Sequence, residues 1–172
     1  MPDRALAQQA RPPRPPAEHR DLVRVTLPEQ AALPSPYAEA DRRQAVADLL
    51  AANHFAPHDM GAGPWGLALS VREGRLVFDI RDAEDAPLHA IVLALGPFRR
   101  LIKDYHLVVE SHERAVMENQ GEARIQAIDM GRRGLHNEGA TLLAERLGGR
   151  VAVDFETARR LFTLVCALHQ RI

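Results

Sequence analysis

Three segments of alternating large and small residues constrain the fold of this 172-residue chain more than any other feature. Large apolar side chains alternate with small ones in 65–71, and similar alternation recurs in 76–80 and 91–95, which is the period of a strand with one buried face. Glu73-Gly74 supplies a turn between the first two segments. Consecutive strands of this kind predict an antiparallel meander. The small residues of the first segment predict that a helix or a ligand approaches its second face closely.

The remaining periodic segments predict helices around this meander. Residues 23–27 alternate like a further strand,. Ser35-Pro36 is a helix start, and that helix is expected to end near Asn53 in a left-handed conformation. A long apolar stripe follows Gly96-Pro97, and Asp154 is placed to cap a last helix. With an edge strand at 151–153, the sequence predicts an α+β fold: a small antiparallel sheet, made of a three-stranded meander plus one or two further strands, packed against about five helices.

Residues 129–139, Asp-Met-Gly-Arg-Arg-Gly-Leu-His-Asn-Glu-Gly, form the most polar cluster of the chain. If one helix runs through it, residues three and four apart share a face, and its two internal glycines, Gly131 and Gly134, each cost about 1 kcal/mol relative to alanine. The alternative ends a helix at Arg133, with Gly134 in the left-handed position. Leu135 would then fold back on Met130, and Asn137 would cap the next helix. We expect this second geometry, a helix–turn–helix corner, because every residue then has a role.

Composition bounds the class of protein. A chain of 172 residues fits one domain,, so we expect residues 21–172 to form a single α+β domain. Five of the twelve prolines fall in residues 1–20, which predicts a disordered, proline- and arginine-rich tail. The formal net charge of -1 disfavours nucleic acid as a partner,. No apolar run reaches the roughly 20 residues of a membrane span, and no signal peptide is recognisable, so a cytoplasmic location is predicted.

Segments 97–105 (PFRRLIKDY), 129–139 (DMGRRGLHNEG) and 154–166 (DFETARRLFTLVC) together resemble the alphaproteobacterial uncharacterised protein family numbered 0262. The resemblance runs from about Asp21 to His169 and leaves out the proline-rich tail. That family has no assigned activity, substrate or cofactor to transfer. The resemblance therefore implies a small bacterial intracellular protein and says nothing about which residues act.

Three functional hypotheses follow from the polar cluster. The first is a binding or regulatory protein for a small anion, because arginine forks suit phosphate and carboxylate. The second is an enzyme acting on an anionic substrate, with His136 as general acid or base oriented by Asp129 or Glu138. The third is a structural corner with Asp129 pairing Arg133, so that the protein acts through a protein partner. The candidate ligand-binding residues are Asp129, Arg132, Arg133, His136, Asn137 and Glu138, joined by Arg99, Arg100, Arg159 and Arg160 only if the fold brings them there.

Metal and cofactor chemistry is not predicted. His54 and His58 have a metal-like spacing and are followed by Asp59, but Pro57 interrupts the segment and no further ligand is evident. Walker, Rossmann, nucleophile-elbow and metalloprotease motifs are missing from the sequence,. Cys166 lies in an apolar run, which is typical of a buried, inert thiol.

Overall fold

The computed structural model describes residues 21–28 and 35–168, so the predicted N-terminal tail lies outside the described residues. The elements are β1 (Leu22–Thr26), α1 (Pro36–Ala51), β2 (Phe55–Pro57), β3 (Trp65–Arg72), β4 (Arg75–Arg81), β5 (Pro87–Ala94), a 3-10 turn (Gly96–Phe98), α2 (Arg99–Met117), α3 (Glu122–Leu147), β6 (Val151–Val153) and α4 (Phe155–Leu168). The α+β class is confirmed, with four α-helices in the described part of the chain where about five were predicted.

The predicted meander forms the centre of a four-stranded sheet with the order β1-β3-β4-β5. Leu69 pairs with Phe78, and Phe78 pairs with Ile91, both in antiparallel register. The side chains of these three residues are buried on the core face of the sheet. β1 pairs with β3 in parallel, because α1 lies between them in the chain and provides the crossover that a parallel pair requires. The sheet is therefore mixed.

The predicted strand at 151–153 does not join this sheet. β6 pairs antiparallel with β2 in a separate two-stranded sheet, in which Phe55 faces Val153. The backbone N–H of His54 donates to Thr157 Oγ1 at 2.9 Å, so the segment that follows α1 is held against the first turn of α4. These contacts fix the ends of two helices that border the candidate site.

The second face of the sheet is closely approached at Gly66. The guanidinium of Arg24 lies there, and a Cβ at position 66 would be 2.9 Å from its Nη2 atom. This close approach therefore comes from a side chain of β1, whereas the sequence predicted a helix or a ligand. Ala68 and Ser70, further along β3, line a cavity on the same face.

Two of the predicted helix starts are confirmed by their caps. Ser35 Oγ accepts a 3.2 Å hydrogen bond from the N–H of Ala38, with Pro36 in the first helical position. Asp154 Oδ1 accepts a 2.8 Å bond from the N–H of Thr157 at the start of α4. Both signals are local, so they can be recognised in the sequence alone.

The predicted left-handed end of α1 at Asn53 is wrong. The helix ends at Ala51, and Ala52 is extended. Asn53 is buried, and its Oδ1 accepts from the N–H groups of Asp21 and Leu22 at 2.9 and 2.8 Å, while its Nδ2 donates to the carbonyls of Leu22 and Leu49. The side chain thus replaces backbone partners where β1 meets the end of α1.

The helix–turn–helix corner is also wrong, because α3 runs without interruption from Glu122 to Leu147. Met130 is 72% exposed, so Leu135 does not fold back on it. Gly131 and Gly134 lie on open helix surface, where an added Cβ would meet no atom within 4 Å. Their helical cost of about 1 kcal/mol each is offset by the apolar face of α3, which packs on α2 and α4,. Asn137 lies inside the helix and caps nothing.

Helix α4 occupies the centre of the core between α1 and α3. Every described residue from Thr157 to Ala167 is buried except Arg159 and Arg160, which are partly exposed. Gly139 of α3 lies directly against the ring of Phe162 and leaves no room for a Cβ. The close approach of the two helices brings the polar parts of α3 and α4 to the same cavity.

Candidate functional site

A cavity of about 380 Å³ lies between α1, α3 and α4. Helix α3 contributes Arg132, Arg133 and His136. Because α3 is continuous, these residues fall on one side of the helix at spacings of three and four. Helix α4 adds Arg159, Arg160 and Thr163, and α1 adds Asp41, Gln44, Ala45 and Asp48. The fold therefore brings Arg159 and Arg160 to the central cluster. From the sequence, their place in the site depended on the fold and could not be decided.

Arg132 is fully engaged within the chain. Its Nε and Nη2 donate to Oδ1 of Asp129 at 2.9 and 2.8 Å, and its Nη1 donates to Oδ1 of Asp41 at 3.0 Å. Burial acts to lower the pKa of Arg132, but Asp41 and Asp129 outweigh it and the pKa is raised. All three nitrogens of its guanidinium group therefore donate to carboxylates of the chain, and none is left to bind a ligand.

Asp129 connects this network to the rim of the cavity. Its Oδ2 lies 3.1 Å from Nε of Arg133, whose side chain is 65% exposed. The hydroxyl of Tyr37 donates to Asp129 Oδ1 at 3.3 Å. Burial acts to raise the pKa of Asp129, but the hydrogen bond and charge of Arg132, aided by Arg133, hold it below its ordinary value. Asp129 thus stays ionised and positions both arginines.

His136 is 2% exposed and lies beside Asp41, with Nε2 at 3.5 Å from Oδ2. Its ring stacks on Tyr105 at 5.6 Å, and Thr163 Oγ1 lies 3.4 Å from both ring nitrogens. Burial lowers the pKa of His136 to about 4, helped by Arg132 and opposed by Asp41. The imidazole is neutral at pH 7. Its neighbouring carboxylate is Asp41, where the sequence predicted Asp129 or Glu138.

Asp41 is the important residue that sequence reasoning missed. It accepts hydrogen bonds from Arg132 and from the hydroxyl of Tyr105, and it lies next to His136. One signal was present: Asp41 falls at helical spacing between the buried residues Ala38 and Ala45. A carboxylate inside an apolar stripe needs a buried partner, but the sequence does not show which one.

Arg159 and Arg160 are only partly satisfied. Their Nη2 atoms lie 2.8 and 3.7 Å from Glu156 Oε2, and Nη1 of Arg160 donates to the carbonyl of Ala52 at 3.2 Å. The Nε atoms of both arginines are buried and have no hydrogen-bond partner among residues 21–28 and 35–168. Two adjacent cavity-lining residues therefore each hold an unused donor.

Five of the predicted residues do not line the cavity. Asp129 is linked to it only through Arg132 and Arg133. Asn137 and Glu138 are exposed on α3, and Glu138 pairs with Arg100, which also bonds Asp104 at 3.2 Å. Arg99 is exposed at the start of α2. Asn137 and Glu138 lie on a different side of α3 from Arg132, Arg133 and His136, so the continuous helix separates residues that a corner would have brought together.

Within the described ranges, the structure shows no group of three or more His, Cys, Asp or Glu side chains placed to hold a metal ion. His54 lies 3.3 Å from Asp21 through Nδ1, and His58 is exposed. None of the helices described here is long and apolar enough to cross a membrane.

Fold and cavity together define an α+β protein with an arginine-rich cavity enclosed by three helices. The chain belongs to the Uncharacterised protein family (UPF0262), whose family model matches residues 19–171. It is 58% identical to a UPF0262 protein of Granulibacter bethesdensis, over 91% of this chain and 93% of that one. A UPF0262 protein of Acidiphilium cryptum is 59% identical, over 87% of this chain and 93% of its own length. No solved structure gives a significant match.

Proposed function

We propose that the protein binds a small anionic ligand in the cavity between α1, α3 and α4. The contacts are Arg133, Arg159 and Arg160, while Arg132 and His136 form the supporting wall. The observation that carries this proposal is the pair of buried, unsatisfied Nε donors of Arg159 and Arg160. A buried donor without a partner costs about 1–3 kcal/mol. The side chains of Arg159 and Arg160 are partly exposed, so a small rotation of either guanidinium group towards a bound phosphate or carboxylate oxygen would remove that cost.

The guanidinium groups and the size of the cavity support the same ligand class. Four arginines and two aspartates line it, while Asp129 and Glu156 pair with these arginines from outside the lining, so the support comes from the clustered guanidinium groups and not from a net positive charge. Arginine forks bind phosphate and carboxylate oxygens with charge-assisted hydrogen bonds. The volume of about 380 Å³ lies in the range of small-molecule sites, about 300–1,000 Å³. We also propose that binding takes place in the cytoplasm, where a thiol such as that of Cys166 stays free.

Thermal unfolding in the presence of phosphate, nucleotides and sugar phosphates tests the proposal. A ligand at about 100 times its dissociation constant adds about 2.7 kcal/mol of stability, which is a clear rise in Tm. We expect Arg159→Gln to abolish the rise. Arg146→Gln is the matched control, because Arg146 is an exposed arginine on α3 outside the cavity, and it should retain the rise. If wild type responds to no probe more than Arg159→Gln does, the network is structural and the proposal fails.

Catalysis on an anionic substrate is the second candidate, because a neutral His136 lies beside Asp41 inside the cavity. A neutral imidazole can accept a proton from a bound substrate or water. Hydrolysis of p-nitrophenyl phosphate by wild type, lost in His136→Gln but retained in His58→Gln, would support it. Equal rates for wild type and His136→Gln would leave the protein as a binding protein.

A further inference from the structure

The cavity has two walls of opposite charge. The wall formed by α1 carries Asp41 and Asp48, separated by Gln44 and Ala45 on the same helical face,. The walls formed by α3 and α4 carry the four arginines. The separation is therefore built into the helices themselves: one supplies carboxylates and the other two supply guanidinium groups.

The two carboxylates of the α1 wall differ in their engagement. Asp41 is used inside the protein by Arg132 and Tyr105. Asp48 accepts a 2.8 Å hydrogen bond from Nε2 of Gln44, and no cationic group of the described residues lies within ion-pair distance of it. Asp48 is thus a negative charge at the cavity that the described chain does not neutralise.

This arrangement places unused groups of both kinds at one cavity. Arg159 and Arg160 line the cavity and keep Nε donors without a partner in the described chain, and Asp48 lines the same cavity with an unneutralised carboxylate. A purely anionic ligand would satisfy the arginines but would be repelled by Asp48. A ligand with an acidic group at one end and an ammonium group at the other would satisfy both walls.

We infer that the ligand is a small zwitterion, whose phosphate or carboxylate contacts Arg159 and Arg160 and whose ammonium group contacts Asp48. This inference rests on the proposed anion-binding function and names its ligand class. Gln44 holds the Asp48 carboxylate in place through its side-chain amide. Binding sites often gain specificity by repelling competing ligands of like charge. Asp48 repels a simple anion and attracts an ammonium group, so it selects zwitterions over simple anions.

Matched probes that differ only in the ammonium group test the inference by calorimetric titration. O-phosphoethanolamine is compared with ethyl phosphate, and L-aspartate with succinate. We expect wild type to bind the ammonium-bearing member of at least one pair about tenfold more tightly or better, a difference of about 1.4 kcal/mol. The pair that shows the preference identifies the acidic group as phosphate or carboxylate.

The variant Asp48→Asn separates this inference from the proposed function. We expect it to lose the preference for the ammonium group and to bind ethyl phosphate or succinate more tightly than wild type, because the repulsion is gone. Asp59→Asn, at an exposed position after β2, should retain the wild-type preference. If wild type binds both members of each pair equally, or if Asp48→Asn changes both equally, the zwitterion inference is overturned while anion binding stands. If wild type binds none of the probes, the zwitterion inference is overturned, and the proposed function is then decided by the thermal-unfolding test with phosphate, nucleotides and sugar phosphates.

Discussion

The hydroxyl of Tyr105 donates a 2.7 Å hydrogen bond to Oδ2 of Asp41 and so joins α2 to α1 at the candidate site. Tyr105 is 2% exposed, and burial together with Asp41 raises its pKa well above the ordinary value. The phenol therefore remains a protonated donor at neutral pH. Asp41 also accepts a hydrogen bond from Arg132. The bond from Tyr105 therefore fixes the carboxylate that positions Arg132.

Removing that hydroxyl should destabilise the protein. We expect Tyr105→Phe to lower the free energy of unfolding by about 2 kcal/mol, because a buried bond to a charged acceptor is lost. Urea denaturation measures the difference. Tyr37→Phe is the matched control, since its bond to Asp129 is longer, at 3.3 Å, and only part-buried. A loss in Tyr37→Phe as large as that in Tyr105→Phe would contradict the assigned role of Asp41.

Stability should fall as the pH is lowered through the range in which His136 titrates. Its pKa is 6.5 in an unfolded chain and about 4 in the folded protein, so between these values the unfolded state binds more protons. The contribution is therefore complete above about pH 6.5 and is lost as the pH falls towards 4, by about 3 kcal/mol in total. The charged groups facing the ring are Asp41, Arg132 and Arg159.

The His136 variant isolates this effect. Urea-unfolding free energies at pH 7.5 and pH 5 should differ less in His136→Gln than in wild type. His58→Gln should keep the wild-type difference, because His58 is exposed. The same pH dependence in all three proteins would show that His136 is not the buried neutral base described above.

The continuity of α3 predicts opposite effects at two glycines. Gly134 lies inside the helix with open space around it, so Gly134→Ala should stabilise the protein by about 1 kcal/mol. At a left-handed helix end the same change would destabilise it. The sign of the change in Tm therefore distinguishes one helix from a helix–turn–helix corner.

Gly139→Ala should have the reverse effect. A Cβ at position 139 would overlap the ring of Phe162, and forcing extra volume into a packed interface costs about 1–3 kcal/mol. Thermal unfolding of the two variants, measured side by side, compares the same chemical change at an open and a closed position. A Gly139→Ala variant as stable as wild type would mean that α3 and α4 lie further apart than described above.

Asn53 should be far more sensitive than Asn137. Its side chain bonds Asp21, Leu22 and Leu49 through four hydrogen bonds in the interior, so Asn53→Ala should cost about 3 kcal/mol by leaving buried groups unpaired. Asn137→Ala, at an exposed helical position, should be neutral or slightly stabilising. Guanidinium denaturation checks both, and equal effects would refute the structural role of Asn53.

Sequence patterns predicted the parts of the fold that depend on neighbours along the chain. The meander and the caps at Ser35 and Asp154 are set by alternation or by a side chain that bonds three residues ahead, and all are present. The corner at Gly134 was wrong because local preferences for a turn were weaker than the packing of α3 on its neighbours. Tertiary contacts decided that segment.

The candidate site was predictable only in part for the same reason. Arg132, Arg133 and His136 were identified because they are close in sequence. Asp41 was missed because its partner Arg132 is 91 positions away. The sequence showed Arg159 and Arg160 as a charged pair but not which helix they would face, since that depends on the burial of α4 between α1 and α3.

The position of α4 also has a consequence for synthesis of the protein on the ribosome. Helices α1 and α3 meet their main partner only when this late segment is available. A nascent chain that has produced α1, the meander and α2–α3 therefore still exposes the apolar surfaces that α4 will cover. Such intermediates aggregate readily, so the partly synthesised chain should be a client of ribosome-associated chaperones until α4 emerges.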